Sequence, residues 1–126
     1  MVRDHRELEV FNLADAWVVT AYRASQSFPA AERFGLQSQT RRSAVSVAAN
    51  IVEGCARDAD GDYVRFLDIA IGSARECGDL TALANRLGLL QEGPAAKFDE
   101  LSRRTQAALI AFRKSRRPYS PKSLGR

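Results

Sequence analysis

The clearest pattern in the chain is a series of apolar residues at three- and four-residue intervals in the segment QTRRSAVSVAANIVEGCAR, residues 39–57. This spacing places the apolar side chains on one face of an α-helix that packs against a core. Small side chains cover much of the remaining surface, so neighbouring backbones can approach closely. A second, polar stripe consists of Arg42, Ser46, Asn50, Glu53 and Arg57. The pattern therefore predicts a helix that is packed on several sides.

Similar amphipathic patterns occur in three other segments, and residues typical of helix ends separate them. Pro29 ends the first helix, aspartates around Gly61 form a turn, and Gly88 occupies the position that follows a helix C-terminus. Four amphipathic helices with short connections predict an all-α fold, an up-down-up-down antiparallel four-helix bundle. The predicted helices span about residues 7–27, 36–56, 62–87 and 95–114.

Two glycines lie inside the predicted third helix, at Gly72 and Gly78. A glycine in a helix interior costs about 1 kcal/mol relative to alanine. We therefore expect another backbone to cross closely at both positions.

The positive charge of the chain is concentrated at its C-terminal end. The net charge of the 126 residues is +4, yet the last 14 residues carry six basic side chains and no acid, and the rest holds 13 basic and 15 acidic side chains. Residues 1–114 are predicted to form the bundle, and residues 115–126, with two prolines and three serines, a basic, disordered tail. Such a tail favours binding to polyanions, above all nucleic acid, although it could equally serve only to keep the protein in solution. The candidate nucleic-acid contacts in this region are Arg113, Lys114, Arg116, Arg117 and Lys122.

Several features point to a protein of the reducing cytoplasm. Cys55 and Cys77 lie within apolar patterns and form no CxxC unit, so buried free thiols are predicted in preference to a disulfide or a metal site. The first ten residues, MVRDHRELEV, contain no apolar run that would indicate a secretory signal, and no segment is apolar for about 18 residues as a membrane span requires.

The residues that common catalytic sites need are missing from the expected positions. The single histidine, His5, precedes the first helix, and no Glu-x-x-His pair of the kind that builds di-iron bundles occurs. No Gly-rich phosphate loop and no serine or cysteine with an evident base are found. The sequence predicts no enzyme activity, no cofactor and no metal.

Four polar residues are predicted to form a cluster between the second and third helices: Asn50, Glu53, Arg57 and Glu76. Glu53 and Arg57 have the i,i+4 spacing of a helical ion pair. We favour a structural cluster whose charges satisfy one another, and the alternative is a site that binds phosphate or specifies a subunit contact. Arg41 and Arg42 open the second helix, and for them nucleic-acid binding and a structural role are equally open.

Motifs along most of the chain support a family resemblance. They are Phe28-Pro29, Glu32-Arg33-Phe34-Gly35-Leu36, Gln39-Thr40-Arg41-Arg42, Asn50-Ile51-Val52-Glu53-Gly54, Phe66-Leu67-Asp68-Ile69-Ala70-Ile71-Gly72-Ser73 and Arg86-Leu87-Gly88. On these motifs the chain resembles the four-helix-bundle proteins encoded within intervening sequences of bacterial 23S ribosomal RNA genes, the S23 type. Accessory variability proteins of diversity-generating retroelements look like relatives. The resemblance implies a homopentamer, in some members a basic surface that binds RNA or DNA, in the retroelement relatives a reverse-transcriptase partner, and no enzymatic activity.

The sequence thus leads to two hypotheses. The first is a non-enzymatic, homo-oligomeric helical bundle that binds nucleic acid through basic side chains. The second is a protein-interaction scaffold whose partner is a polymerase or an RNA-processing factor. The two differ in salt dependence, because phosphate contacts weaken steeply with salt.

Overall fold

The computed structural model describes residues 3–116, and these contain helices and no strand. The four main helices are α1 (Glu9–Ser25), α2 (Leu36–Cys55), α3 (Asp60–Arg86) and α4 (Glu92–Ser115). Short 3-10 helices at His5–Glu7 and Ala30–Glu32 precede α1 and α2. The all-α fold class predicted from the sequence is confirmed.

The helices form a square bundle in which each packs against its neighbours in the chain, and α4 closes the square against α1. Contacts between α2 and α3 show the antiparallel direction. Ser46 of α2 meets Ser73 of α3, whereas Gly54, further along α2, meets Phe66, earlier in α3. The predicted antiparallel four-helix bundle is therefore confirmed.

The core contains side chains from all four helices. Trp17 of α1, Ile51 of α2, Leu67 of α3, and Phe98 and Leu109 of α4 are fully buried. A smaller cluster of Phe28, Leu36 and Ala84 closes the end of the bundle at which α1 and α3 finish and α2 begins. The amphipathic faces predicted from the sequence thus meet in a main core and a smaller cluster at one end.

Three helix boundaries differ from the sequence prediction in an informative way. Helix α1 starts at Glu9 because Leu8 is extended, which separates the helix from the 3-10 turn before it. Helix α4 starts at Glu92 and continues to Ser115, whose hydroxyl donates to the Phe112 carbonyl at 2.7 Å. The helix therefore extends one residue past its predicted end, and the division into bundle and tail stays a prediction. Residues 117–126 of the predicted tail lie outside the described residues.

The C-terminus of α3 ends as the sequence predicts. Gly88 has a φ of +72°, which side chains rarely tolerate. Its N–H donates to the Asn85 carbonyl at 3.0 Å, and the Leu89 N–H donates to the Ala84 carbonyl at 3.0 Å. These two bonds form a Schellman motif, which satisfies carbonyls that the helix leaves free.

The glycine predictions for α3 are half right. A Cβ on Gly78 would collide with the side-chain amide of Gln106 and lie 3.0 Å from the Ser102 hydroxyl, so side chains of α4 pack closely against α3 there. A Cβ on Gly72 would meet nothing within 4 Å, and the expected close crossing at that position is wrong within the described chain. A close approach between α2 and α3 occurs at Gly54, where an added Cβ would lie 3.1 Å from side-chain atoms of Tyr63 and Phe66 and 3.4 Å from the Tyr63 carbonyl oxygen.

A strap formed by the residues before α1 holds the corner between α2 and α3. The Arg3 backbone N–H donates to the Cys55 carbonyl at 3.1 Å, and its guanidinium donates to the Arg57 carbonyl at 2.9 Å and to the Asp60 carboxylate at 2.6 Å. The same guanidinium lies 4.0 Å from the centroid of the Tyr63 ring. Arg3 thus supplies donors to carbonyls at the end of α2, where helices lack internal partners.

Candidate nucleic-acid interface

Arg41 holds α2 against the end of α1. Its Nε donates to the Ser25 hydroxyl at 2.8 Å, and its Nη2 donates to the Tyr22 carbonyl at 3.1 Å. The guanidinium also lies 4.7 Å from the centroid of the Tyr22 ring. A cation at the C-terminal end of a helix is favourable because the helix dipole is negative there. The Arg41 side chain therefore takes part in the contact between α1 and α2.

Arg42 points away from the core, into an open groove between α2 and α3. The groove is lined by Gln39, Arg42, Ser43, Ser46, Ser73 and Glu76. The hydroxyls of Ser46 and Ser73 are 2.8 Å apart and bridge the two helices. Asn50 donates to the Ser46 carbonyl at 2.8 Å and to its hydroxyl at 3.0 Å. Arg42 is the only one of the two adjacent arginines whose guanidinium is exposed and unpaired within the described chain.

The predicted cluster of Asn50, Glu53, Arg57 and Glu76 divides into two parts. Glu53 and Arg57 form their ion pair at 2.6 Å, with side chains 54% and 41% exposed. Glu76 is not beside them. The antiparallel register pairs Ser73 with Ser46, so Glu76, one turn further along α3, lies at the level of Arg42. Asn50 belongs to the hydroxyl bridge.

Arg113 is also less available than the sequence suggests. It is a residue of α4, and its Nε and Nη2 donate to the two carboxylate oxygens of Asp68 on α3 at 2.6 and 3.0 Å. The Arg113 side chain is only 17% exposed. The Asp68 carboxylate raises the pKa of the guanidinium above its ordinary value. A bidentate pair of this kind ties α4 to α3.

Of the remaining tail candidates, Lys114 and Arg116 are among the described residues, and neither forms an ion pair there. Lys114 and Arg116 are exposed, and the Arg116 guanidinium lies 5.0 Å from the centroid of the Phe112 ring. Arg117 and Lys122 lie outside the described residues.

Ion pairs are unevenly distributed along the bundle. At the end where α2 finishes and α3 begins, arginines are matched with acids: Arg3 with Asp60, Arg6 with Asp4, Arg57 with Glu53, Arg65 with Asp62 and Arg113 with Asp68. On α4, Lys97 and Arg104 pair with Glu100, and Arg103 pairs with Asp99. The α4 pairs lie in the half of the bundle towards the opposite end, so ion pairs occur there too, but several arginines outside α4 take no part in them.

At that opposite end, four exposed arginines form no ion pair with any described residue. We call this set the basic end: Arg23, Arg33, Arg42 and Arg86. Four acids also lie at this end, Glu32, Glu76, Asp79 and Glu92, and none of them forms an ion pair with these arginines. Glu32 accepts a hydrogen bond from the Leu36 N–H at 3.1 Å at the start of α2, and Glu76 shares the groove with Arg42 without pairing with it.

Sequence reasoning identified only Arg42 of the basic end. Arg23, Arg33 and Arg86 are far apart along the chain. The predicted topology could have identified them, because an up-down bundle brings the end of α1, the start of α2 and the end of α3 to the same end of the molecule.

The two thiols and the single imidazole take part in packing. Cys55 and Cys77 are free and buried, as predicted, and burial raises the pKa of Cys77 to about 11. The His5 ring packs on Phe11 with centroids 4.7 Å apart. Among residues 3–116, no three His, Cys, Asp or Glu side chains are placed to hold a metal ion. In the same range, no helix is both long and apolar enough to cross a bilayer.

The fold and its surface define a helical-bundle protein with exposed arginines that form no ion pair among the described residues. The model of the 23S rRNA-intervening sequence protein family matches residues 6–111. The chain therefore belongs to the 23S rRNA-intervening sequence protein family, and the resemblance noted in the sequence is confirmed. The relation to accessory variability proteins stays a prediction.

A solved structure supports the fold. It is a protein with unknown function from the S23 ribosomal protein family of Bacteroides thetaiotaomicron VPI-5482, with a TM-score of 0.74 and 22% sequence identity over 83% of this chain and 95% of that one. No curated protein is a significant match to the chain.

Proposed function

We propose that this protein is a non-enzymatic, homo-oligomeric helical bundle that binds nucleic acid through the basic end, with help from the C-terminal tail. The observation that carries the proposal is the set of four exposed arginines without an ion pair in the described chain. An arginine that has no internal acid can present its planar fork of donors to a phosphate.

The tail contributes through fewer charges than its composition suggests. Arg113 is clamped to Asp68, which leaves Lys114, Arg116, Arg117, Lys122 and Arg126. The tail starts from the end of the bundle opposite to the basic end. The two regions are therefore separate contributions, which truncation and point substitution can distinguish.

The homo-oligomeric part of the proposal rests on apolar surface. Val19 and Tyr22 on α1 and Val45 on α2 are 43%, 43% and 40% exposed. Tyr22 and Arg41 join the two helices, and Val19 and Val45 each lie about one helical turn from this contact along their own helix. Exposed apolar side chains near one another are typical of protein–protein contacts. The same side chains support the second candidate, a scaffold for a different protein partner.

The test compares the double substitution Arg33→Gln, Arg42→Gln with a matched control, Arg103→Gln, Arg104→Gln. Both variants remove two exposed positive charges, but the control arginines are paired with acids on α4. Binding of a labelled RNA and a labelled duplex DNA is measured across a salt series. Losing two phosphate contacts flattens the slope of log K against log salt by about 2 for duplex DNA. The control variant is expected to keep the wild-type slope.

Two further variants sharpen this experiment. Glu76→Gln removes the acid beside Arg42 and is expected to tighten binding. A chain that ends at Arg116 removes the charges beyond α4 without disturbing the Arg113 clamp. Identical binding by the basic-end double variant and by its control would overturn the basic end as the site. No binding by the wild type at low salt would favour the protein scaffold.

A further inference from the structure

The most exposed large apolar side chain of the described chain is Phe34, at 90%. It lies in the connection between α1 and α2, at the basic end. Hydrogen bonds order this connection: the Arg33 N–H donates to the Ala30 carbonyl at 3.1 Å, and the Gly35 N–H donates to the Glu32 carbonyl at 3.1 Å. The aromatic ring is therefore presented to solvent by a structured turn and does not belong to a loose loop.

Charged residues of both signs flank Phe34 along the chain: the Glu32 carboxylate, which accepts from the Leu36 N–H, and two arginines. Arg33 precedes it directly, and Arg42 lies two turns into the helix that follows; both are exposed and form no ion pair with described residues. The other aromatic ring among the strongly exposed side chains is Tyr22, and the Arg41 guanidinium already lies over it. Phe34 is thus the exposed ring with a free face, with Arg33 directly beside it in the chain and Arg42 at the same end of the bundle.

An uncovered aromatic ring next to arginines matches the chemistry of an unpaired nucleobase. Proteins that hold single strands stack bases on aromatic rings and follow the backbone with cationic side chains. A duplex offers its phosphates but keeps its bases stacked on one another. The ring therefore adds affinity for a single strand and adds none for a duplex.

We propose that Phe34 is a stacking platform for one unpaired base of a single-stranded nucleic acid, with the adjacent phosphates bound by Arg33 and Arg42. The inference rests on the proposed function and narrows its ligand to single strands or unpaired loops.

The first test is Phe34→Ala, with Leu87→Ala as the matched control. Leu87 is also at this end of the bundle and is 58% exposed, but it has no aromatic face. The probes are labelled 12-nucleotide single strands of RNA and of DNA and a blunt duplex of the same sequence. Phe34→Ala is expected to weaken binding of the single strands by about 5- to 150-fold, the range for loss of one stacked base, and to leave the duplex unchanged. Leu87→Ala is expected to change neither.

The second test uses Phe34→Trp, which keeps the stacking surface and adds a fluorophore. The chain contains one tryptophan, Trp17, which is fully buried, so an added signal that responds to ligand reports on position 34. Single strands are expected to quench this added fluorescence, and the duplex is expected to leave it unchanged.

The outcomes separate this inference from the proposal beneath it. If the wild type binds none of the three probes, the proposed function fails. If the wild type binds and Phe34→Ala binds single strands equally well, or weakens single strand and duplex alike, the stacking platform is wrong. A change of oligomeric state in Phe34→Ala, seen by light scattering, would place the ring in a contact between copies and overturn the platform as well.

Discussion

Gly54 allows a direct test of how closely α2 and α3 are packed. A Cβ at this position would lie 3.1 Å from the Phe66 Cβ, 3.1 Å from a ring carbon of Tyr63 and 3.4 Å from the Tyr63 carbonyl oxygen. None of these atoms is the free end of a flexible side chain. The backbone of α3 or the Tyr63 ring would therefore have to shift by a few tenths of an ångström to admit the methyl group.

The expected cost of Gly54→Ala follows from two opposing terms. Overpacking a well-filled interior costs about 1–3 kcal/mol. Replacing a helical glycine by alanine gains at most about 1 kcal/mol, and less at Gly54 because it is the second-last residue of α2. We expect Gly54→Ala to be less stable than the wild type by about 1–2 kcal/mol.

Gly72→Ala is the control. Gly72 is a helical glycine with open space around its would-be Cβ, so only the propensity term applies, and this variant is expected to gain about 0.5–1 kcal/mol. Urea unfolding followed by circular dichroism at 222 nm measures both variants, at two protein concentrations, because association shifts apparent stability. A Gly54→Ala variant that is as stable as Gly72→Ala would refute the close packing of α2 on α3.

Two other predictions concern assembly and alkaline pH. Light scattering at micromolar concentration is expected to give a mass several times 13.9 kDa, with five subunits as the family resemblance implies. Val45→Glu is expected to lower this mass, whereas Ala107→Glu, on the exposed face of α4, is expected to leave it unchanged. A monomeric wild type would contradict the homo-oligomer. Burial, with a smaller effect of Cys55, raises the pKa of Tyr63 from 10.0 to about 12. The neutral phenol of Tyr63 therefore contributes fully to folding stability below about pH 10. This contribution is lost as the pH rises toward 12, because the phenol ionises at a lower pH in the unfolded chain than in the folded one. The loss in the free energy of unfolding reaches at most about 3 kcal/mol. Urea unfolding at pH 8–11 should show a steeper decline for the wild type than for Tyr63→Phe, and equal declines would count against this origin.

The sequence predicted the architecture well because the fold depends on periodicity and on a few strong end signals. Apolar spacing located all four helices, and Gly88 marked the end of α3 in the conformation that glycine allows. The sequence could not show which glycine faces a neighbour. Gly72 and Gly78 are equivalent by propensity, and only the register of α3 against α4 distinguishes them.

The candidate site was less accessible to sequence reasoning for a similar reason. Whether an arginine is free depends on which acid the fold brings within reach. Asp68 and Arg113 are 45 residues apart along the chain, and nothing local predicts their pairing. Glu76 was expected beside Glu53 and Arg57, and the antiparallel offset of two helices placed it beside Arg42. Charge composition shows how many cations a chain carries, whereas the tertiary register decides which of them remain unpaired.

The strap at Arg3 has a consequence for the kinetics of folding. Its partners lie 54 and 57 residues further along the chain, at Arg57 and Asp60. The strap can close only after α1 has reversed direction and α2 has packed along it, since closing so long a loop in an unstructured chain is entropically unfavourable. We therefore expect these contacts to be absent from the folding transition state. Contacts of that kind leave the folding rate unchanged and slow unfolding, so the strap acts mainly on how long a folded bundle survives before it opens.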